Sequence, residues 1–476
     1  MRSERLAAGN GRAVAEGTAD RRASLPTSEE ATDRRASLPT ADRRATPPTA
    51  DRRASLPTAD RRSSPPTADR RSFLRAAGLT AAVGLAGCLG ASAPRAGPSA
   101  VAERRGPADE TASATFRGGL ENRGYHPEVT VPDAVEVDWK IPGINVGEHT
   151  AAKASAVLDP AGNYVIPGDT GVVTSVTPDG RIRWTASTEP SRNGIHGTAT
   201  VANGLVYVGA YDGALYAFDV DTGRRVWRTK LGDSIGSSPV YHDGTVYVAV
   251  EFATPSGAVF GVDALSGRIT WRDARPTDHS HATIAIDLDA GRLIVGANDG
   301  FLYGWSYPDL ERVWAFETGG PIKGPIATYD GGAFFGSWDH SIYRVSLEDG
   351  RERWSHETTR KVMGGAAIDP ESGVLYVGGH DAKLHALEAA SGEQRWAFDT
   401  GGWIIGSAST TGEHVLTGSN DGNLYAIRTD TGEREWAAFG GGGDVSSDPL
   451  LTDVGIVFTV RATAEESGDA VKLVAA

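Results

Sequence analysis

Four nitrogen-bearing side chains, Lys153, His196, His281 and Lys323, fall at equivalent places in successive copies of a sequence repeat. Ammonium and imidazolium groups donate to anions, and three or four neutral imidazoles can hold Zn²⁺ if they converge at about 2.1 Å from it. The same alignment places further polar and aromatic side chains nearby, namely His149, Asp278, His279, Trp338, His340, His380 and Trp403. The set predicts a candidate anion or metal site, and the alternative is a water-filled channel lined by soluble side chains.

No familiar catalytic motif accompanies these residues. The sequence has no phosphate-cradling Gly-Lys-Ser/Thr loop, no His-Glu-x-x-His and no Gly-x-Ser-x-Gly. Aspartates recur at one turn of nearly every copy: Asp169, Asp212, Asp299, Asp339, Asp381 and Asp421. Because Asp binds its own local backbone in turns, this repetition predicts a structural role.

The elements that position these residues are organised by a repeat that ends in tryptophan. Its copies close at Trp139, Trp184, Trp227, Trp271, Trp314, Trp354, Trp396 and Trp436. A Gly stands four residues earlier in most copies, as Gly223 does before Trp227, but the copy ending at Trp314 lacks it. Short β-rich runs and Asn-Gly, Asp-Gly and Thr-Gly turns fill each unit of about 42 residues, which is typical of a four-stranded propeller blade.

The two ends of the repeat predict the number of blades. Val135–Trp139 is a fourth strand without the first three, and three runs without a fourth follow Trp436. Pairing them gives an all-β, eight-bladed propeller closed by an N-terminal strand, with no open edge. Gly223 is expected to take a left-handed backbone in its turn, and Trp227 to cover the seam to the next blade.

Superposing the blades predicts one channel-facing position in each first strand. These positions are Lys153, His196, Ile235, His281, Lys323, Met363, Ile405 and Val445. Residues that differ between blades are expected to carry whatever specificity the protein has.

Charge divides the chain into two unlike parts. Residues 1–87 carry a net charge of +6, whereas residues 88–476 carry −20 with only 7 Lys. An acidic, Lys-poor surface is typical of salt-adapted proteins and predicts a halophilic archaeon as the source. It also excludes nucleic acid as a partner, since phosphates require clustered positive charge.

The N-terminal part predicts export and lipid anchoring. Residues 1–67 are low-complexity nonapeptide repeats with too few apolar residues to fold. Residues 68–88 resemble a twin-arginine signal with Arg70, Arg71, Phe73 and Leu74, followed by a short apolar run and a lipobox ending at Cys88. Residues 89–115 then predict a flexible tether, and residues 116–476 the propeller.

The repeat resembles that of the pyrroloquinoline-quinone (PQQ)-type eight-bladed propellers, within the wider WD40/YVTN-like superfamily. The resemblance rests on Ala217-x-Asp219-x-x-Thr222-Gly223-x-x-x-Trp227 and on the opening Phe116-Arg117-Gly118 and Gly124-Tyr125. The family includes quinoprotein dehydrogenases and the lipoprotein propeller of the outer-membrane barrel-assembly machine. In the dehydrogenases, the resemblance implies PQQ and Ca²⁺ at the channel mouth, often under a Cys-Cys disulfide. Cys88 is the only cysteine here, and no long insert builds a substrate funnel.

These observations favour a non-catalytic binding scaffold over an enzyme. The predicted protein is anchored by lipid on Cys88 at the outer face of the cytoplasmic membrane and binds other cell-surface or membrane proteins. It needs no cofactor or metal, and Trp338, Trp403 and the loop histidines are the expected contacts. The alternative is a PQQ- and Ca²⁺-dependent dehydrogenase of alcohols or sugars.

Overall fold

The computed structural model describes residues 114–147, 150–439, 443–463 and 467–476. The predicted leader, export signal and lipidation site lie outside these ranges, as do most of the tether and His149. Within them, no helix combines the length and hydropathy needed to cross a bilayer.

The described residues form eight four-stranded antiparallel sheets, the blades of a propeller. The innermost strands of blades 1 to 8 are β2 (Val157–Leu158), β6 (Thr200–Ala202), β10 (Val240–His242), β14 (Ala285–Asp287), β18 (Ala327–Tyr329), β22 (Ala367–Asp369), β26 (Ser409–Thr410) and β30 (Leu450–Thr452). The second strands are β3 (Tyr164–Pro167), β7 (Leu205–Gly209), β11 (Thr245–Phe252), β15 (Arg292–Gly296), β19 (Gly332–Gly336), β23 (Val374–Gly378), β27 (His414–Gly418) and β31 (Gly455–Thr459).

The outer half of each blade completes the sheet. The third strands are β4 (Val172–Val176), β8 (Ala214–Asp219), β12 (Ser256–Asp263), β16 (Phe301–Ser306), β20 (Ser341–Ser346), β24 (Lys383–Glu388), β28 (Asn423–Arg428) and β32 (Ala470–Ala475). The outermost strands are β5 (Ile182–Ser187), β9 (Arg225–Lys230), β13 (Ile269–Asp273), β17 (Arg312–Glu317), β21 (Glu352–Glu357), β25 (Gln394–Asp399), β29 (Arg434–Phe439) and, in blade 8, β1 (Val135–Ile141).

Strand β1 closes the ring as the sequence predicts. It pairs antiparallel with β32, from Val135 opposite Ala475 to Ile141 opposite Ala470. The eighth blade therefore contains both ends of the described propeller, and the eight-bladed prediction is confirmed.

The middle strands are buried on both faces because each blade packs between two others. All five residues of β7 and the first five of β8 are buried. This explains why these strands are continuous apolar runs rather than alternating ones. The outermost strands alternate instead, since their other face meets solvent.

The repeat tryptophan packs against the turn of the following blade. A Cβ built on Gly267 would lie 2.7 Å from the Trp227 ring, and Trp227 Nε1 donates to Ala264 O at 3.0 Å. Gly267 has φ +72°, so the left-handed turn and the missing side chain both require glycine. Burying an indole in this way stabilises a seam by roughly 2–3 kcal/mol.

The seam between blades 3 and 4 departs from this pattern where the sequence lost its glycine. Leu310 takes the left-handed conformation there at φ 58°. Trp271 of blade 3 instead meets Trp305 edge to face, with ring centroids 6.0 Å apart. A second aromatic ring thus replaces the glycine contact.

Residues 114–126, called the plug here, cross one end of the channel. Plug carbonyls accept from backbone N–H groups of the innermost strands of blades 4, 5, 6 and 7; the acceptors are Leu120, Glu121, Arg123 and Gly124. Arg117 is buried within the plug; it donates from Nε to Asn122 O and from Nη2 to Ala366 O, and its Nη1 lies 3.4 Å from Asp448. The plug therefore pairs the inner strand edges that would otherwise be open.

Candidate functional site

The other end of the channel carries the segments that join consecutive blades, and is called the loop face here. Residues from all eight joining segments border a cavity of about 80 Å³ whose floor includes Phe116 of the plug. Seven of these bordering residues are Lys153, His196, Gly236, His281, Lys323, Met363 and Ile405, with Ser446 in blade 8. The structure thus brings together the four nitrogen-bearing side chains that the sequence singled out.

Two of the eight predicted channel positions are wrong by one residue. Ile235 and Val445 are fully buried between blades, and Gly236 and Ser446 border the cavity instead. Each buried side chain packs against the glycine that ends a second strand: Ile235 against Gly209 and Val445 against Gly418. Ile322, Val362 and Ile404 pack in the same way in their blades, so the residue after this β-branched position is the one that faces the channel.

Two histidine–carboxylate pairs stand side by side at the mouth. His196 Nε2 lies 3.5 Å from Asp169 Oδ1, and His281 Nδ1 lies 3.2 Å from Glu251 Oε1. The ring of Tyr211 lies between the pairs, with centroids 4.4 Å from His196 and 6.5 Å from His281. Glu251 and Tyr211 lie outside the aligned channel position, since Glu251 is in β11 and Tyr211 follows β7, so the alignment of repeats does not identify them.

Gly236 makes room for one of these pairs. A Cβ on Gly236 would lie 2.7 Å from His281 Nδ1, 2.9 Å from Tyr211 Oη and 3.0 Å from Glu251 Oε1. Three polar atoms therefore converge behind a backbone that carries no side chain. Any larger residue would displace at least one of them.

Burial shifts the protonation of this cluster. Burial raises the pKa of Glu251 to about 7, although Lys323, the Gly236 N–H and Lys153 act in the opposite direction. Burial also raises the pKa of Asp169 to about 6, against the N–H groups of Ala152 and Ala151. For His281, burial and then the charges of Lys153 and Lys323 lower the pKa well below its usual value. Near neutral pH the histidine is therefore uncharged and Glu251 is partly protonated.

Asp169 differs from the other turn aspartates. Asp212, Asp299, Asp339 and Asp421 accept from a local backbone N–H two residues on and from the hydroxyl of a third-strand tyrosine. Asp381 contacts His385 in place of a tyrosine. Asp169 instead accepts from Ala151 and Ala152 N–H and faces His196.

Trp338 lies beside the cavity and binds two cations. Lys323 Nζ is 3.7 Å and Lys361 Nζ is 4.4 Å from its ring centroid. Trp403 stacks on His380, with centroids 4.8 Å apart and planes 13° apart. The two tryptophans are both half-buried on the loop face, and Trp338 contacts Lys323, which borders the cavity.

The donor set does not fit PQQ with Ca²⁺. Calcium requires about six to eight oxygen ligands. Two ammonium groups border this cavity, and each nearby carboxylate already faces a nitrogen-bearing group: Asp169 faces His196, Glu251 faces His281 and Asp448 faces Arg117. Among the described residues, no three His, Cys, Asp and Glu side chains are grouped to hold a metal ion. The geometry suits a neutral or anionic guest better than a cation.

The fold and this mouth define an eight-bladed propeller. The contacts at its seams repeat from blade to blade, whereas the side chains that border its channel differ between blades. A family model described as outer membrane protein assembly factor BamB matches residues 169–304, 255–372 and 338–474. These overlapping matches cover more than half of the chain, which therefore belongs to this family of PQQ-like repeat propellers.

Three comparisons illustrate the range of its relatives. The outer membrane protein assembly factor BamB of Bordetella pertussis is 31% identical over 30% of this chain and 34% of its own length. The crystal structure of BamB from Moraxella catarrhalis has a TM-score of 0.55 and 18% identity, covering 71% of this chain and 97% of its own. Quinohemoprotein alcohol dehydrogenase from Comamonas testosteroni has a TM-score of 0.65 and 14% identity, covering 80% and 82%.

These relatives differ in how much of their length and sequence they share with this chain. The chain spans about a third of the length of the curated Bordetella relative. The two solved structures, at 18% and 14% identity, share the propeller fold alone. A shared fold does not by itself assign a function, which depends on the residues of the site.

Proposed function

We propose that the protein is an exported, lipid-anchored, non-catalytic propeller that binds partner proteins through its loop face, at the outer side of the cytoplasmic membrane. The observation that carries this proposal is the contrast between the two ends of the channel. The plug fills one end with backbone hydrogen bonds, whereas the loop face keeps blade-specific aromatic and charged side chains. Membership in an assembly-factor family supports a binding role.

Three features of the loop face suit a protein interface. Trp338 and Trp403 offer large half-buried rings, which are enriched at the centres of interfaces. Strands β11 and β12 have eight residues each, longer than the other second and third strands, and they project the Phe252–Ser256 turn. The blade 3 sector of the loop face is therefore raised, so its shape as well as its side chains distinguishes it from the other sectors.

Partner capture tests the interface. Membrane-anchored protein would be crosslinked in cells and its partners compared with those of a Trp338→Ala/Trp403→Ala variant. The matched control is Ile182→Ala, since Ile182 is an exposed apolar residue (54%) on the outermost strand of blade 1. We expect the double variant to lose at least about tenfold of the captured partner, as central aromatic residues do, and the control to lose none. Equal capture by all three would refute a loop-face interface.

Fractionation tests the anchor. We expect Cys88→Ser protein to leave the membrane fraction and Arg70→Lys/Arg71→Lys protein to remain inside the cell. A Cys88→Ser protein that stays membrane-bound would contradict lipid anchoring.

The competing function is a quinone-dependent dehydrogenase, which the propeller fold alone allows. Purified protein with PQQ and Ca²⁺ would be examined for a bound-quinone spectrum and for dye reduction with alcohols or sugars. We expect neither signal, because the described residues of the mouth lack an oxygen donor set for calcium. Observation of both signals would replace the proposal.

A further inference from the structure

The channel mouth is bordered by polar side chains or glycine in six blades and by apolar side chains in two neighbouring blades, 6 and 7. Around the ring, blades 1 to 5 contribute Lys153, His196, Gly236, His281 and Lys323, in an order that is symmetric about Gly236. Blades 6 and 7 contribute Met363 and Ile405, and blade 8 contributes Ser446. Asp448 also borders the cavity, but its carboxylate is paired with Arg117 at 3.4 Å. In an eight-membered ring, blades 1 and 5 are opposite, so the two ammonium groups approach the channel from opposite walls.

We propose that this mouth binds a small carboxylate anion between Lys153 and Lys323, with the carbon end of the anion against Met363 and Ile405. The two lysines place positive charge at the mouth of a propeller whose surrounding chain, residues 88–476, is strongly acidic. Ammonium–carboxylate hydrogen bonds are among the stronger ones in proteins. The apolar side chains of blades 6 and 7 favour a carboxylate over inorganic anions such as phosphate.

The size of the cavity limits the guest. A single water needs about 10–15 Å³ of such volume, and this cavity has about 80 Å³. An acetate-sized group fits, whereas a tricyclic quinone does not fit within it. Phe116 and the plug close the floor, so the guest enters from the loop face.

Glu251 and His281 form a buried pair behind the mouth, and protonation of Glu251 is linked to anion binding. Glu251 is faced by Lys153, Lys323, His279 and His281, and by the like charge of Asp278. An anion bound beside these groups opposes ionisation of Glu251, so its pKa rises above about 7 and binding takes up a proton. Affinity is therefore expected to fall as pH increases through 7, since ionised Glu251 repels the guest.

Titration calorimetry of the purified protein with sodium acetate tests the site, at constant sodium chloride and at pH 6, 7 and 8. We expect Lys153→Met and Lys323→Met each to weaken acetate binding about tenfold or more, as loss of a charge-assisted hydrogen bond does. Lys140→Met is the matched control, because Lys140 is exposed on β1 and its loss changes the net charge equally. Thermal melts verify that each variant is folded.

Glu251→Gln distinguishes a local role of Glu251 at the mouth from the general effect of removing one negative charge from the protein. We expect it to bind acetate several-fold more tightly than the native protein at pH 8 and to lose the pH dependence between pH 7 and 8, since Asp169, with a pKa of about 6, is ionised throughout that interval. Buffers of different ionisation enthalpy should show proton uptake on binding by the native protein and none by this variant.

Two further probes identify the source of the carboxylate. Sodium phosphate that competes as well as acetate would overturn the assignment to carboxylates. N-acetylglutamate methylamide that binds as well as acetate would indicate that the mouth accepts an acidic side chain of a partner, while binding of acetate alone indicates a free metabolite-sized acid. Acetate binding that is absent at pH 6, or unchanged in Lys153→Met/Lys323→Met protein, would reject the site. These measurements use the isolated protein and do not depend on the proposed partner interface.

Discussion

The seams between blades are built from contacts that repeat, whereas the mouth of the channel is built from side chains that differ between blades. Along the seams, a Trp and a left-handed Gly recur with nearly the same contact, as Trp354 with Gly392 and Trp396 with Gly432 illustrate. At the mouth, the superposed positions hold lysine, histidine, glycine, methionine and isoleucine. The residues that repeat in this molecule therefore hold the ring together. The residues that differ between blades lie where a guest or partner can be recognised.

The largest expected effect is at a seam. Trp227→Ala should lower the free energy of unfolding by about 4 kcal/mol, because it removes a buried indole and leaves a cavity over Gly267. Trp403→Ala, which removes an indole on the loop face, should cost about 1 kcal/mol or less. Denaturant unfolding measures both, and equal losses would contradict the division between seam and mouth.

The plug comes next. Arg117→Ala should cost about 3 kcal/mol, because Asp448 is left buried without its cation. Burial raises the pKa of Asp448, with Arg117 opposing that rise, so a second substitution, Asp448→Asn, removes the stranded charge. The double variant, Arg117→Ala with Asp448→Asn, should therefore recover part of the lost stability. Absence of any recovery would show that the other hydrogen bonds of Arg117 dominate.

A smaller, pH-dependent effect is expected at the mouth. The folded pKa of Asp169, about 6, exceeds its usual value of 3.8, so the folded state binds more protons and loses stability as pH rises from about 4 to 6. Asp169→Asn should be more stable than the native protein above pH 6, by about 2 kcal/mol, and should lose this advantage near pH 4. Unfolding at pH 4 and pH 8 measures the difference, and the opposite trend would mean that the ionised form is the one stabilised.

The smallest expected effect concerns Lys361. Its ammonium lies 4.4 Å from the Trp338 ring, which Lys323 contacts more closely. Lys361→Met should change stability by about 0.5 kcal/mol or less, and should reduce acetate affinity less than Lys323→Met does. A larger loss of acetate affinity in Lys361→Met would move the proposed anion site toward Trp338.

The repeat made the seams predictable from sequence alone. The repeat tryptophan is a local pattern that follows a turn glycine by four residues in six of its eight copies. The eight tryptophans are enough to count the blades and to identify β1 as the missing strand of blade 8. The irregular seam between blades 3 and 4 was visible too, as a lost glycine, although the replacement contact of Trp271 with Trp305 required the folded ring.

The mouth was only partly predictable, because its chemistry depends on residues far apart in the chain. The four nitrogen-bearing side chains were found by aligning repeats, but the one-residue error at Ile235 shows that alignment alone does not decide which neighbour faces the channel. The contact of that side chain with Gly209 decides it. Glu251 was missed because it lies near the end of β11, outside the aligned channel position, and only its buried contact with His281 reveals its role.

The closure of the eighth blade also governs how the molecule comes apart. The backbone N–H of Ala476 donates to Ala134 O, so the last residue is bonded to the stretch that precedes β1. A linear array of repeats can fray from its end units, because each contacts only its neighbours. Here no described blade is an end unit, and heating should melt the ring in one cooperative transition rather than blade by blade.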